Sequence, residues 1–70
     1  MSRIPVRSSN LASVGYNPFA HVLEVEFRNG SLYRYAGVPP ERFEGLLGAA
    51  SKGSYHARKI RNSYPYVRVR

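Results

Sequence analysis

Val22-Leu23-Glu24-Val25-Glu26-Phe27-Arg28-Asn29-Gly30-Ser31-Leu32-Tyr33-Arg34-Tyr35-Ala36 is the stretch whose reading decides the fold. Two alternating runs flank an Asn-Gly pair, the strongest short-range signal of a β-hairpin. Leu23, Val25 and Phe27 fall on one face of the first strand, Glu24 and Glu26 on the other. Loop length then sets the place of the tyrosines. A two-residue loop at Asn29-Gly30 pairs Glu26 with Tyr33 and leaves Tyr33 and Tyr35 exposed on the glutamate face. A three-residue loop, Arg28-Asn29-Gly30, uses a type I turn with Gly30 left-handed in a bulge. It pairs Val25 with Tyr33, Leu23 with Tyr35 and Glu24 with Arg34, so apolar meets apolar and opposite charges face each other. A one-residue slip inverts the whole side-chain set, and the pairing selects the bulged loop. Glu24 and Glu26 are then expected on an open sheet face, where they would repel a phosphate backbone.

Outward from the hairpin, Ser9 to Asn17 carries Ala12, Val14 and Tyr16 at period two, the pattern of a first strand, with Leu11 out of phase. Asn17-Pro18 marks the turn between them. Residues 1–8 read as a flexible lead-in and 9–70 as a single domain. Gly37-Val38-Pro39-Pro40 ends the sheet, and Pro40 suits the first position of a helix. Phe43, Leu46, Leu47 and Ala50 form its apolar stripe; Gly45 and Gly48 lower its propensity and would permit close approach to the sheet. Ser54 is expected to cap a second helix over Tyr55 to Arg61. After Asn62-Ser63-Tyr64-Pro65, the run Tyr66-Val67-Arg68-Val69-Arg70 reads as an edge strand with apolar residues inward and arginines outward. The fold class is α+β: an antiparallel β-meander in the order β-β-β-α-α-β, with two short helices packed on one sheet face.

Seventy residues with 43% apolar content make one small domain with a core of its own. Without cysteine it has neither disulfides nor thiolate metal sites. The start, Met1-Ser2-Arg3-Ile4-Pro5, lacks the apolar run of a signal peptide, and no run reaches membrane-spanning length, so the expected setting is cytoplasmic, away from membranes. Net charge is +7. Residues 51–70 hold Lys52, Arg58, Lys59, Arg61, Arg68 and Arg70 without a single acid. Such an end is the footprint of a polyanion partner, or simply a solvated basic surface.

Catalytic patterns are nearly absent: there is no Asp, His21 and His56 lie far apart, and no metal-ligand spacing or phosphate loop appears. The expectation is a protein that is not an enzyme and uses no cofactor or metal. Lys52, Tyr55, His56, Arg58, Lys59, Arg61 and Arg68 interleave cations with rings, the residue types that neutralise phosphates and stack on unpaired bases. They are the candidate contacts for RNA or single-stranded nucleic acid. Tyr55 has a competing role as a core contact of the second helix. Tyr33, Arg34 and Tyr35 are read as structural, so a nucleic acid is expected across the second helix and terminal strand rather than across the sheet. The alternative is a protein-interaction module, a homodimer or an appendage on an acidic partner.

Ser8-Ser9-Asn10, Val14-Gly15-Tyr16, Leu23-Glu24-Val25-Glu26-Phe27, Asn29-Gly30, Tyr33-Arg34-Tyr35, Gly37-Val38-Pro39, Ser51-Lys52-Gly53-Ser54-Tyr55, Ile60-Arg61 and Tyr64-Pro65-Tyr66 together resemble the KTSC family. The central Tyr-x-Tyr and the later Ser-Lys-Gly are the family's most recognisable pieces, and both are intact. The family occurs as small stand-alone bacterial proteins and at the C-terminal end of some lysyl-tRNA synthetases. The resemblance implies RNA binding, drawn from that synthetase context, and brings no catalytic residues.

Overall fold

The computed structural model describes residues 2–70. Its centre is the hairpin of Val22–Phe27 (β3) and Leu32–Tyr35 (β4), with Leu23 opposite Tyr35, Glu24 opposite Arg34 and Val25 opposite Tyr33. The loop is the three-residue one: Phe27 N–H donates to Ser31 O at 2.9 Å, and Gly30 has φ +94°. Asn29 Oδ1 accepts from both the Ser31 N–H and the Ser31 hydroxyl, which locks the turn.

Leu11–Asn17 (β2) flanks β3. A bulge lies between Leu11, opposite Phe27, and Ser13, opposite Glu26. The extra residue brings Leu11 into phase with Val14 and Tyr16, so its break in the alternation is the bulge itself. Ile4–Pro5 (β1) pairs with β2, so the segment expected as a flexible lead-in carries an edge strand; Met1 lies outside the described residues. Tyr66–Arg68 (β5) joins β4, and the sheet is an antiparallel meander in the order β1-β2-β3-β4-β5. The α+β class is as read from the sequence, with one strand more.

Pro40–Gly48 (α1) starts on its proline, with Glu41 in the first turn. It ends at Ala49, so Ala50 is off the helix and exposed. Tyr16 stacks on Phe43 at 4.9 Å and donates its hydroxyl to Val38 O at 2.6 Å, tying α1 to β2. Lys52–Tyr55 (α2) is capped by Ser51, whose hydroxyl accepts from Ser54 N–H, and begins three residues before the expected start. It runs into a π-helical turn, His56–Ile60, closed by Arg61 N–H to His56 O at 2.9 Å. Gly45 accommodates the Tyr55 ring rather than the sheet: a Cβ there would sit 2.7 Å from Tyr55 Cζ.

Leu11, Val14, Leu23, Val25, Tyr35, Val38, Leu46 and Ile60 form the core between the sheet and the helical segments. The opposite sheet face is not an open acidic surface. Glu24 is 2% exposed and held by Arg3 and Arg34, each at 2.7 Å, while Arg70 reaches Glu26 at 2.9 Å. Burial pushes the Glu24 carboxyl up, but the hydrogen bonds and charges of Arg34 and Arg3 outweigh it and hold the group below the ordinary carboxylate range. The two glutamates therefore present paired charge, not the repulsive face expected.

The inward and outward sides of β5 are also the reverse of the expectation. Tyr66 lies opposite Tyr35 and Arg68 opposite Tyr33, on the helix side, while Val67 lies opposite Arg34 and is exposed. The Tyr66 ring packs 5.6 Å from both Tyr33 and Tyr35. An aromatic cluster covers more apolar area than a valine in that place, which favours this register.

Candidate functional site

The tyrosine side of the sheet opens beside the β3–β4 turn into a cleft of about 330 Å³. Phe27, Tyr33 and Tyr66 supply its sheet wall. Gly53, His56, Ala57 and Arg61 supply the helical wall, and Asn10, Asn29 and Ser31 stand at the turn end. Phe27 and Tyr33 meet edge to face at 5.6 Å; both are half-buried, whereas Tyr66 is exposed. These rings line the cleft because the bulged loop puts β3 and β4 residues of one parity on the same side as the helices.

The floor is Tyr35 and His56, the hydroxyl and Nε2 lying 2.8 Å apart. Burial lowers His56 to about 4, with the Arg61 charge adding to it. Burial likewise raises the Tyr35 hydroxyl to about 12, helped by Tyr33 and Tyr66 and partly offset by Arg61. At neutral pH both are uncharged, and each satisfies the other.

The sequence-selected residues fall into separate groups. Arg61 lines the cleft, and Arg68 is exposed on β5 opposite Tyr33. Arg58 and Lys59 are exposed on the π turn, Arg58 folding back on Ser54 O at 3.4 Å. Lys52 is half-buried and donates to Ala49 O at 3.0 Å. None of these five cations is in an ion pair among the described residues, where the paired arginines are Arg3, Arg34 and Arg70. Tyr55 is packed against α1 at Gly45, and His56, 6% exposed, is a neutral floor residue. The His56 ring is thus withdrawn from the surface, and Tyr55 is half-buried. Of the central motif, Tyr35 and Arg34 are structural, in the core and on Glu24 respectively. Tyr33 is half-buried and also lines the cleft.

Phe27, Asn10 and Asn29 were not selected from the sequence as site residues, whereas Tyr66 belongs to the basic, aromatic C-terminal stretch that was. Phe27 reads as core by alternation, and the asparagines read as turn formers. The tyrosine side of the sheet and the second helical segment together build one cleft.

This architecture defines a class: a small α+β domain in which a Tyr-x-Tyr strand lies beneath two short helical segments beside an aromatic, cationic cleft. The chain belongs to the KTSC domain family, whose model matches residues 7–64. The crystal structure of a KTSC domain protein from Yersinia pestis superposes with a TM-score of 0.94 at 34% identity, covering 99% of this chain and 97% of that one. An uncharacterised protein of Stutzerimonas stutzeri is 44% identical over 70 residues, 99% of each chain. A lysine–tRNA ligase of Nostoc sp. is 37% identical over 54 residues, which are 77% of this chain and 10% of the ligase.

Proposed function

We propose that this protein is a small non-catalytic binder of RNA or other single-stranded nucleic acid. The observation that carries the reading is the junction of the ring-lined cleft with cations that have no carboxylate partner among the described residues. Phe27, Tyr33 and Tyr66 offer stacking surface, and Arg61 and Arg68 flank it. Arg58 and Lys59 extend the positive surface along the π turn. Aromatic platforms beside basic side chains are how single strands are held without strict sequence dependence. The match to a lysine–tRNA ligase agrees with an RNA partner.

Titration of labelled oligoribonucleotides at several salt concentrations tests it. Affinity falls steeply with salt, and Arg58→Gln or Arg61→Gln flattens the log–log slope by about 0.7 for each phosphate no longer neutralised. Absence of binding at low salt, or binding indifferent to both substitutions, overturns the reading.

A second reading, self-association, rests on the outer edge of β5 and the exposed Val67 and Val69. Light scattering at two protein concentrations decides it: a strict monomer removes this reading.

A further inference from the structure

We infer that the outer edge of β5 pairs antiparallel with the same edge of a second copy, about a two-fold axis at Val67. This deepens the self-association reading above by giving its contact and register, and it does not depend on nucleic-acid binding. The backbone decides which groups are free. Ala36 N–H donates to Pro65 O at 2.9 Å and Val69 N–H to Leu32 O at 2.7 Å, with Val67 opposite Arg34 between them. Antiparallel bonds alternate along a strand, so Tyr66 and Arg68, opposite Tyr35 and Tyr33, turn their N–H and C=O groups away from β4. β5 is the last strand in the sheet order, and Tyr66, Val67 and Val69 are 57%, 65% and 46% exposed. Unpaired backbone groups beside exposed apolar side chains are a template for another strand. The opposite edge, β1, is two residues long and contains Pro5, which has no N–H to give. The sheet therefore extends at the β5 edge, and the same patch on both copies closes as a pair.

Charge then fixes the register. Centred on Arg68, the pairing sets two guanidiniums directly opposite each other, which is unfavourable. Centred on Tyr66, it runs Tyr64 and Pro65, which precede the strand, against Arg68 and Val67. Centred on Val67, it sets Tyr66 of each copy opposite Arg68 of the other, and each such pair exchanges both backbone hydrogen bonds. On the cleft side a guanidinium then meets a tyrosine ring, a cation–π contact; on the other side Val67 meets its own copy. Tyr66 lines the cleft, so the second copy adds its Arg68 beside each cleft, and both clefts open on the same side of one continuous sheet.

The test is sedimentation equilibrium of the whole chain without nucleic acid, over a range of protein concentrations. The mean mass rises toward that of two chains. Each copy carries +7, so the pairing tightens when salt is raised from about 0.1 M to about 1 M, which cuts the range of repulsion from about 10 Å to about 3 Å. Nucleic-acid binding responds to salt in the opposite sense. Val67→Lys and Val67→Glu each move the association midpoint to at least about fivefold higher concentration, the scale of a like-charge pair across strands. Mixed in equal amounts, the two variants associate at least as well as the unaltered chain, because opposite charges then meet on the axis. A thermal melt establishes that each variant is folded, as expected at so exposed a position. A strict monomer at every concentration and salt overturns the inference and the self-association reading with it, and leaves the nucleic-acid reading standing. Association indifferent to both variants, or growing beyond two chains, overturns this edge as the contact. Variants that weaken association singly and stay apart when mixed overturn the axis at Val67 and leave self-association standing.

Discussion

His56 sits in a position no charge count could reveal. As a basic-end residue it belongs with the cations; folded, it is a neutral ring beneath the cleft, its Nε2 2.8 Å from the Tyr35 hydroxyl. Its protonation is held to about 4, against about 6.5 in an unfolded chain. Between those values the unfolded chain binds a proton that the folded chain refuses. Stability is therefore full above about pH 6.5 and falls as the pH drops toward 4, by about 3 kcal/mol in total. Urea midpoints at pH 7 and pH 5 measure this, and His56→Gln removes most of the difference. Glu24 loses its own contribution only in a lower window, because its carboxyl is held below the ordinary carboxylate range. The place of His56 was hidden for a local reason. Ser51 and Ser54 are three residues apart and either can cap a helix, so the sequence leaves the start of that helix open by nearly one turn. Gly30, by contrast, was legible, because Asn-Gly between two patterned strands leaves little choice of backbone.

Among the elements, legibility followed length and contrast between faces. The β3–β4 register was readable because its two faces differ sharply in polarity. β1 spans two residues, too short to show a period, and the bulge in β2 disguises itself as a faulty alternation. The π turn has no composition of its own to announce it. The packing of α1 on α2 was half visible as two unexplained glycines, and it yields a paired forecast. Gly45→Ala adds helix propensity of about 1 kcal/mol but drives a methyl into the Tyr55 ring, so it destabilises by about 1–2 kcal/mol net. Gly48 has nothing within 4 Å of an added Cβ, so Gly48→Ala stabilises by up to about 1 kcal/mol. Chemical denaturation of the two variants gives shifts of opposite sign; the same sign for both would contradict the fit of Tyr55 against Gly45.

At the scale of the molecule, the two sheet faces divide the arginines by task. Arg3 and Arg34 close on a buried carboxylate on one side, while Arg58, Arg61 and Arg68 stand without acidic partners among the described residues. Arg3→Ala leaves Glu24 with one partner and costs about 1–3 kcal/mol of stability, with affinity for an oligonucleotide unchanged. Arg68→Ala leaves the unfolding midpoint within about 0.5 kcal/mol and weakens binding at low salt. Denaturation and anisotropy on the same pair of proteins check both halves. The basic block of residues 51–70 was plain from the sequence. Which of its cations meet an acid was not, because the partners of Glu24 and Glu26 include Arg3, outside the block, and Arg70, its last residue, 21 and 44 residues away along the chain.

The π turn also shifts what a residue count means. Closing a ring from Arg61 back to His56 places one more residue in the turn than an α-helix would. Each residue of an α-helix advances the chain by about 100° and 1.5 Å, so that single addition re-aims everything after it. The direction of Arg61 toward the cleft is thus written in chain length rather than in side-chain identity. A relative one residue shorter between Tyr55 and Arg61 would match every letter on either side of the gap, yet present its guanidinium to a different part of the surface.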